Sequence, residues 1–106
     1  MGEFKPRTAE EMDEMRQRSR ATRSRRAEVR RALAAGEMSF GDAVALAGEE
    51  AAVGGMRVAT LIRAVPGYGE SRTRELMRTV GIAEGRHAAA LTERQRTELV
   101  AAIDAG

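Results

Sequence analysis

Residues 56–81 read MRVATLIRAVPGYGESRTRELMRTVG, two short apolar-periodic segments hinged on Pro66-Gly67-Tyr68-Gly69. Val58, Leu61, Ile62 and Val65 recur at the three- and four-residue steps of one helix face, and Pro66 stops that helix. Leu76, Met77 and Val80 repeat the pattern in a second helix that starts at about Ser71 and is closed by Gly81. Two glycines around a single residue let the backbone turn with no Cβ in the way. The amides of such a turn, with the free N–H groups that open the next helix, form a concave site for an anion. Arg72 and Arg74, in the first turn of that helix, add positive charge. Alone, a Pro-Gly-x-Gly turn is equally well a plain connection between helices, so the flanking chain decides its meaning.

Upstream lies a long uninterrupted helix. Thr8 and Glu11 have the spacing of a capping box, no Gly or Pro follows until Ala35 is passed, and Gly36 supplies the stop. Val29 and Leu33 can dock on a core, whereas Arg16 to Arg26 offers only Ala21. The first half of this helix is therefore expected to project as an arm and the second half to pack. Arg16, Arg18, Arg20, Arg23, Arg25, Arg26, Arg30 and Arg31 face one acid, Glu28, in that stretch. Glu37, Asp42, Glu49 and Glu50 then follow with no basic residue before Arg57. A basic arm, an acidic middle and a moderately basic second half point to a polyanionic partner, although a charge run by itself is often only a solvated face.

The middle and the end supply the remaining elements. Ser39 with Asp42 predicts a second helix start, running through Val44 and Leu46 and weakened at Gly48; Gly54-Gly55 predicts a break. Thr92 with Gln95 predicts a last helix that buries Leu99, Val100 and Ile103. The expected fold is all-α with five helices, a long N-terminal helix and a compact helical globule. Its expected core is Val29, Leu33, Val44, Val58, Leu61, Ile62, Val65, Leu76, Met77, Val80, Leu99 and Ile103. Residues 1–7 read as a disordered leader, 8–35 as the basic arm and 36–106 as the globule.

Composition removes several classes of function. The 106 residues include no Cys and no Trp, with Phe4, Phe40 and Tyr68 the only aromatics, so neither a disulfide framework nor a thiolate metal site is available. No apolar run is long enough to span a bilayer and no signal-peptide pattern is present, which leaves a cytoplasmic protein as the expectation. His87, the one histidine, has no identifiable catalytic partners, and the adjacent acids Glu10-Glu11 and Glu49-Glu50 point to different helix faces. No enzyme, no cofactor and no metal are expected.

The segment 56–81 resembles the helix-two-turns-helix motif of the actinobacterial, mycobacterial-type integration host factors. RSRRAEVRRAL in the first helix, GGMRVATLI entering the motif and LTERQRTELV near the end are similar to that family in the same order, over roughly residues 8–104. The resemblance implies a nucleoid-associated protein that binds double-stranded DNA by its backbone with little sequence preference and affects its curvature or topology. It places the glycine turn on the backbone at the minor groove, with the basic first helix able to touch DNA as well. The chain departs from the family pattern at two places. Glu70 stands where the family carries Lys, and Arg86-His87-Ala88-Ala89-Ala90-Leu91 replaces an arginine-rich turn, keeping Arg86. Each lost phosphate contact would shallow the salt dependence by about 0.9.

The DNA-binding residues expected on these grounds are Gly67, Tyr68, Gly69, Ser71, Arg72, Arg74 and Arg86, with Arg16, Arg20 and Arg23 on the arm. The expected partner is double-stranded DNA, with no membrane, and a monomer in solution that can associate on DNA. Two other readings stay open. YGESRTRELMRTVGI also resembles an rRNA-binding protein of the small ribosomal subunit, although that family begins its motif near the N-terminus and ends in a basic tail. A helical protein-interaction module is the other, but Ser19, Thr22 and Arg26 interrupt the apolar seam that Met12, Met15, Val29 and Leu33 would make. DNA glycosylases share the motif but need a further catalytic domain.

Overall fold

The computed structural model describes residues 8–105, and the leader expected at residues 1–7 lies outside them. Six α-helices and one 3-10 turn follow in order: α1 (Ala9–Ala35), α2 (Phe40–Glu49), α3 (Ala51–Gly54), α4 (Val58–Ala64), α5 (Glu70–Val80), the 3-10 turn Ala88–Ala90, and α6 (Glu93–Asp104). The fold is all-α. Its one extended pairing among the described residues is an isolated bridge between Arg57 and His87. None of these helices is long and apolar enough to cross a membrane.

Helix starts follow local chemistry. Thr8–Glu11, Ser39–Asp42 and Thr92–Gln95 each form a reciprocal capping box, satisfying two orphan donors per helix. Gly36 (φ 73°) and Gly81 (φ 85°) end α1 and α5 in the left-handed region, where glycine carries no Cβ penalty. Val65, held extended before Pro66, ends α4.

At 27 residues α1 is about 40 Å long, and it is exposed from Thr8 to Ala21. Its root packs through Val29 and Leu33, both fully buried, against α2, α3 and α4. α6 closes the other side of α2. The Asp104 carboxylate accepts the amides of Phe40 (3.0 Å) and Gly41 (2.9 Å), so the last residue of α6 serves the open N-terminus of α2.

Two differences from the sequence-based expectation have physical causes. The helix beginning at Phe40 runs through Gly48 and breaks instead at Glu50, which is extended (φ −118°, ψ 121°) and starts the extra helix α3. The break expected at Gly54-Gly55 falls there, with Gly54 the last residue of α3 and Gly55 its C-cap. A Cβ on Gly54 would sit 2.6 Å from the Ala47 carbonyl oxygen, so glycine is there for close packing of α3 on α2. The core is also wider than expected. Val65, Leu76 and Val100 are only partly buried, while Phe40, Ala43, Ala47, Val53, Met56, Ile82, Ala88 and Leu91 are buried as well. Phe40, Ala43 and Ala47 share with Val44 the three- and four-residue step of one α2 face, whereas Met56, Ile82, Ala88 and Leu91 lie outside the α-helices, where no helical period marks them.

Candidate nucleic-acid interface

The hinge between α4 and α5 is closed by a hydrogen bond from the Tyr68 amide to the Val65 carbonyl (3.1 Å) across Pro66-Gly67. Proline second and glycine third, with Gly67 at φ 90°, is the arrangement of a type II turn. Only one of the two glycines is thus required by conformation. Gly69, at φ −81° and ψ −175°, has a backbone any residue adopts, and a Cβ there would meet nothing within 4 Å. It caps α5 without a side chain, so no side-chain oxygen covers the N–H groups of the first turn. Gly67, Gly69, Glu70 and Ser71 are all exposed. The result is a set of donors at the positive end of an eleven-residue helix, open to an anion from outside.

Arg72 braces this turn. Its Nη1 donates to the Gly67 carbonyl (3.1 Å), and its guanidinium lies 4.2 Å from the centre of the Tyr68 ring. Tyr68 is half-buried and packs back on the turn rather than standing free at its tip. Arg74 reaches Glu70 one turn earlier (Nη2 to Oε1, 3.2 Å), so the acid that departs from the family pattern is neutralised locally.

Arg86 lies elsewhere on the same framework. The Val58 amide donates to the Arg86 carbonyl (3.0 Å) and the Ala88 amide to the Met56 carbonyl (2.8 Å), which ties this loop to the start of α4. The turn leaves from the other end of that seven-residue helix, about 10 Å away. The Arg86 side chain is half-buried and donates to the Ala90 carbonyl (3.2 Å). The hinge residues 67–74 are thus brought together, with Arg86 one short helix away. Arg16, Arg20 and Arg23 lie on the exposed part of α1, and among the described residues no hydrogen bond or ion pair joins them to the turn.

The run of arginines in α1 is not uniform. Arg25 grips Glu50 with two bonds of 2.8 Å, from Nε and Nη2, and also touches Glu28 at 3.1 Å. The hydrogen bonds from Arg25 hold the Glu50 carboxyl below the usual carboxylate range. Arg26 donates from Nε to the Ala52 carbonyl (2.8 Å), and its guanidinium occupies space that a side chain on Gly55 would need. These two arginines fasten the arm to α2 and α3. Sequence reasoning counted them with the basic run because their partners lie 25 and 26 positions away.

Sequence reasoning also passed over Arg57, Arg63 and Arg78, which line a cleft between α4 and α5 together with Thr73 and Arg74. The four-residue step from Arg74 to Arg78 is the one local signal that places cations on that face.

Known proteins share this fold. The family described as "S13-like H2TH domain" matches residues 33–103. A protein named integration host factor, from Streptomyces coelicolor, is 30% identical over 94 residues, covering 89% of this chain and 88% of that protein. A solved structure described as sIHF bound to an 8-bp palindromic DNA superposes with a TM-score of 0.80 at 29% identity. It covers 82% of this chain and 98% of its own.

Proposed function

The chain belongs to the S13-like H2TH domain family and, within it, with the integration host factors; from that premise we propose that it binds double-stranded DNA by the backbone, as a nucleoid-associated protein. The observation that carries this reading is the uncovered N-terminus of α5 on an exposed type II turn, in a fold shared with a DNA-bound relative. The N–H groups of Glu70 and Ser71 are the donors to a phosphate oxygen, and Gly69 keeps the approach clear. Arg72 holds the turn in shape while leaving its remaining donors to solvent. Arg86 extends the positive field along the groove, Arg74 offsets the Glu70 charge beside the turn, and Tyr68 supports the turn from behind. Arg16, Arg20 and Arg23 contact a neighbouring stretch of backbone and steer the encounter through long-range attraction.

None of these contacts reads base edges, so affinity is set mainly by phosphate neutralisation and depends steeply on salt. The role is architectural rather than catalytic, exercised at the nucleoid on curvature or topology of the duplex.

Fluorescence anisotropy with matched DNA duplex, RNA duplex and single strands across a salt series tests the reading. Preference for DNA duplex with a steep salt dependence is the expected result. Preference for structured RNA would replace it with the ribosomal-type reading.

A further inference from the structure

Beside the glycine turn, an open cleft of about 510 Å³ runs between α4 and α5 and ends at Ile82, Ala83 and Glu84. That volume is within the roughly 300–1,000 Å³ of small-molecule sites. Four arginines, Arg57, Arg63, Arg74 and Arg78, line it against two acids, Glu70 and Glu84. Arg74 is taken up by Glu70, but among the described residues the side chains of Arg57, Arg63 and Arg78 have no hydrogen-bond or ion-pair partner. The decisive feature is Thr73. Only 3% of it is exposed, it lines the cleft, and its hydroxyl has no hydrogen-bond partner. A buried hydroxyl without a partner is costly, and folded proteins seldom keep one without a use for it.

Three unpaired guanidiniums and one buried, unpartnered hydroxyl, all on residues that line the same cleft, make a donor set for a tetrahedral oxyanion. Guanidinium forks match phosphate oxygens two at a time, and the hydroxyl donates to another. We propose that the α4–α5 cleft is a phosphate site distinct from the turn amides, with Thr73 at its floor and Arg57, Arg63 and Arg78 at its walls. Apolar Ala59, Met77 and Ile82 beside the cations suit the body of a phosphorylated nucleotide. The phosphate has two sources, a free nucleotide or a second phosphate of a bound duplex.

The test is a ¹⁵N–¹H NMR titration of the whole chain with inorganic pyrophosphate at low salt. Three proteins are compared: wild type, Arg63→Gln/Arg78→Gln, and Thr73→Val. Saturable shifts at Ala59, Thr73, Met77 and Ala83 are expected in the wild type and lost in the double variant. Thr73→Val removes only the partnerless hydroxyl, so its melting temperature without ligand stays level or rises. Its pyrophosphate affinity falls roughly tenfold, the worth of one hydrogen bond to a charged acceptor. Duplex binding by the same proteins separates the sources. A salt slope reduced by about 0.9 per lost contact assigns the phosphate to DNA. An unchanged slope with pyrophosphate binding intact in the wild type assigns it to a free nucleotide. Absence of a saturable pyrophosphate site at the cleft overturns the proposal, whatever the variants do on DNA, as does undiminished binding by the double variant. A wild type that takes pyrophosphate but no duplex would sink the DNA-binding reading and leave this one standing.

Discussion

The outer part of α1 and the hinge at Gly67–Ser71 both offer positive potential, by opposite means. On α1 it comes from whole charges on long, exposed side chains, Arg16, Arg20 and Arg23, carried by a helix with little beneath it. At the hinge it comes from partial charges on backbone amides, fixed by a type II turn, a left-handed Gly67 and the Arg72 brace. Mobile charges act over a Debye length and are screened by salt. Fixed amides act over hydrogen-bond distance and need little ordering on binding. The arm should therefore govern salt dependence and encounter, and the turn should govern how the backbone is held.

The largest effect is expected from Gly69→Val. The backbone there suits valine and the added Cβ meets nothing in the fold, so the helical circular dichroism stays, with a loss of roughly 1 kcal/mol from the poorer cap. Duplex affinity falls about a hundredfold as the first-turn amides are covered. Gly69→Asp sharpens the contrast, since its carboxylate caps the helix and fills the anion site, so stability holds while binding is lost.

Next comes Arg16→Gln/Arg20→Gln/Arg23→Gln. If each arginine meets one phosphate, the salt slope falls by about 2.7, read by anisotropy between 50 and 200 mM salt. An unchanged slope would assign the arm to solvent or to a protein. Truncation of the arm should stop at Ser24, because Arg25 and Arg26 anchor what remains.

Gly67→Ala places a Cβ at φ 90°, and the strain costs about 1–2 kcal/mol, measured by urea unfolding. Arm substitutions leave unfolding unchanged. The smallest effect concerns the root of the arm. The folded Glu50 carboxyl is held below its ordinary range by Arg25, so this contact stabilises fully above the unfolded value of about 4.3 and is lost as pH falls through the folded one. Glu50→Gln should flatten the acid side of the stability profile slightly, and an identical profile would show that the anchor is idle.

The same contrast explains what could be read in advance. All three capping boxes, the stops at Gly36 and Gly81 and the end of α4 before Pro66 are local, and each formed where the residues predicted. The hinge was legible for that reason. What escaped is set by distant partners: the break at Glu50, Asp104 under Phe40, and Arg25 and Arg26 turned inward. Gly54-Gly55 does punctuate the chain at the end of α3, but a sequence does not show that the Ala47 carbonyl lies against Gly54. The cleft around Thr73 depends on how two helices diverge, which no single helix pattern carries.

The most direct measurement follows the backbone amides of Gly69, Glu70, Ser71 and Arg72 by ¹⁵N–¹H NMR as an unlabelled DNA duplex is added. The largest shifts are expected at Glu70 and Ser71, saturating with the same affinity that anisotropy gives. Saturating shifts confined to the outer part of α1, with those amides unmoved, would contradict the claim that the turn holds the backbone.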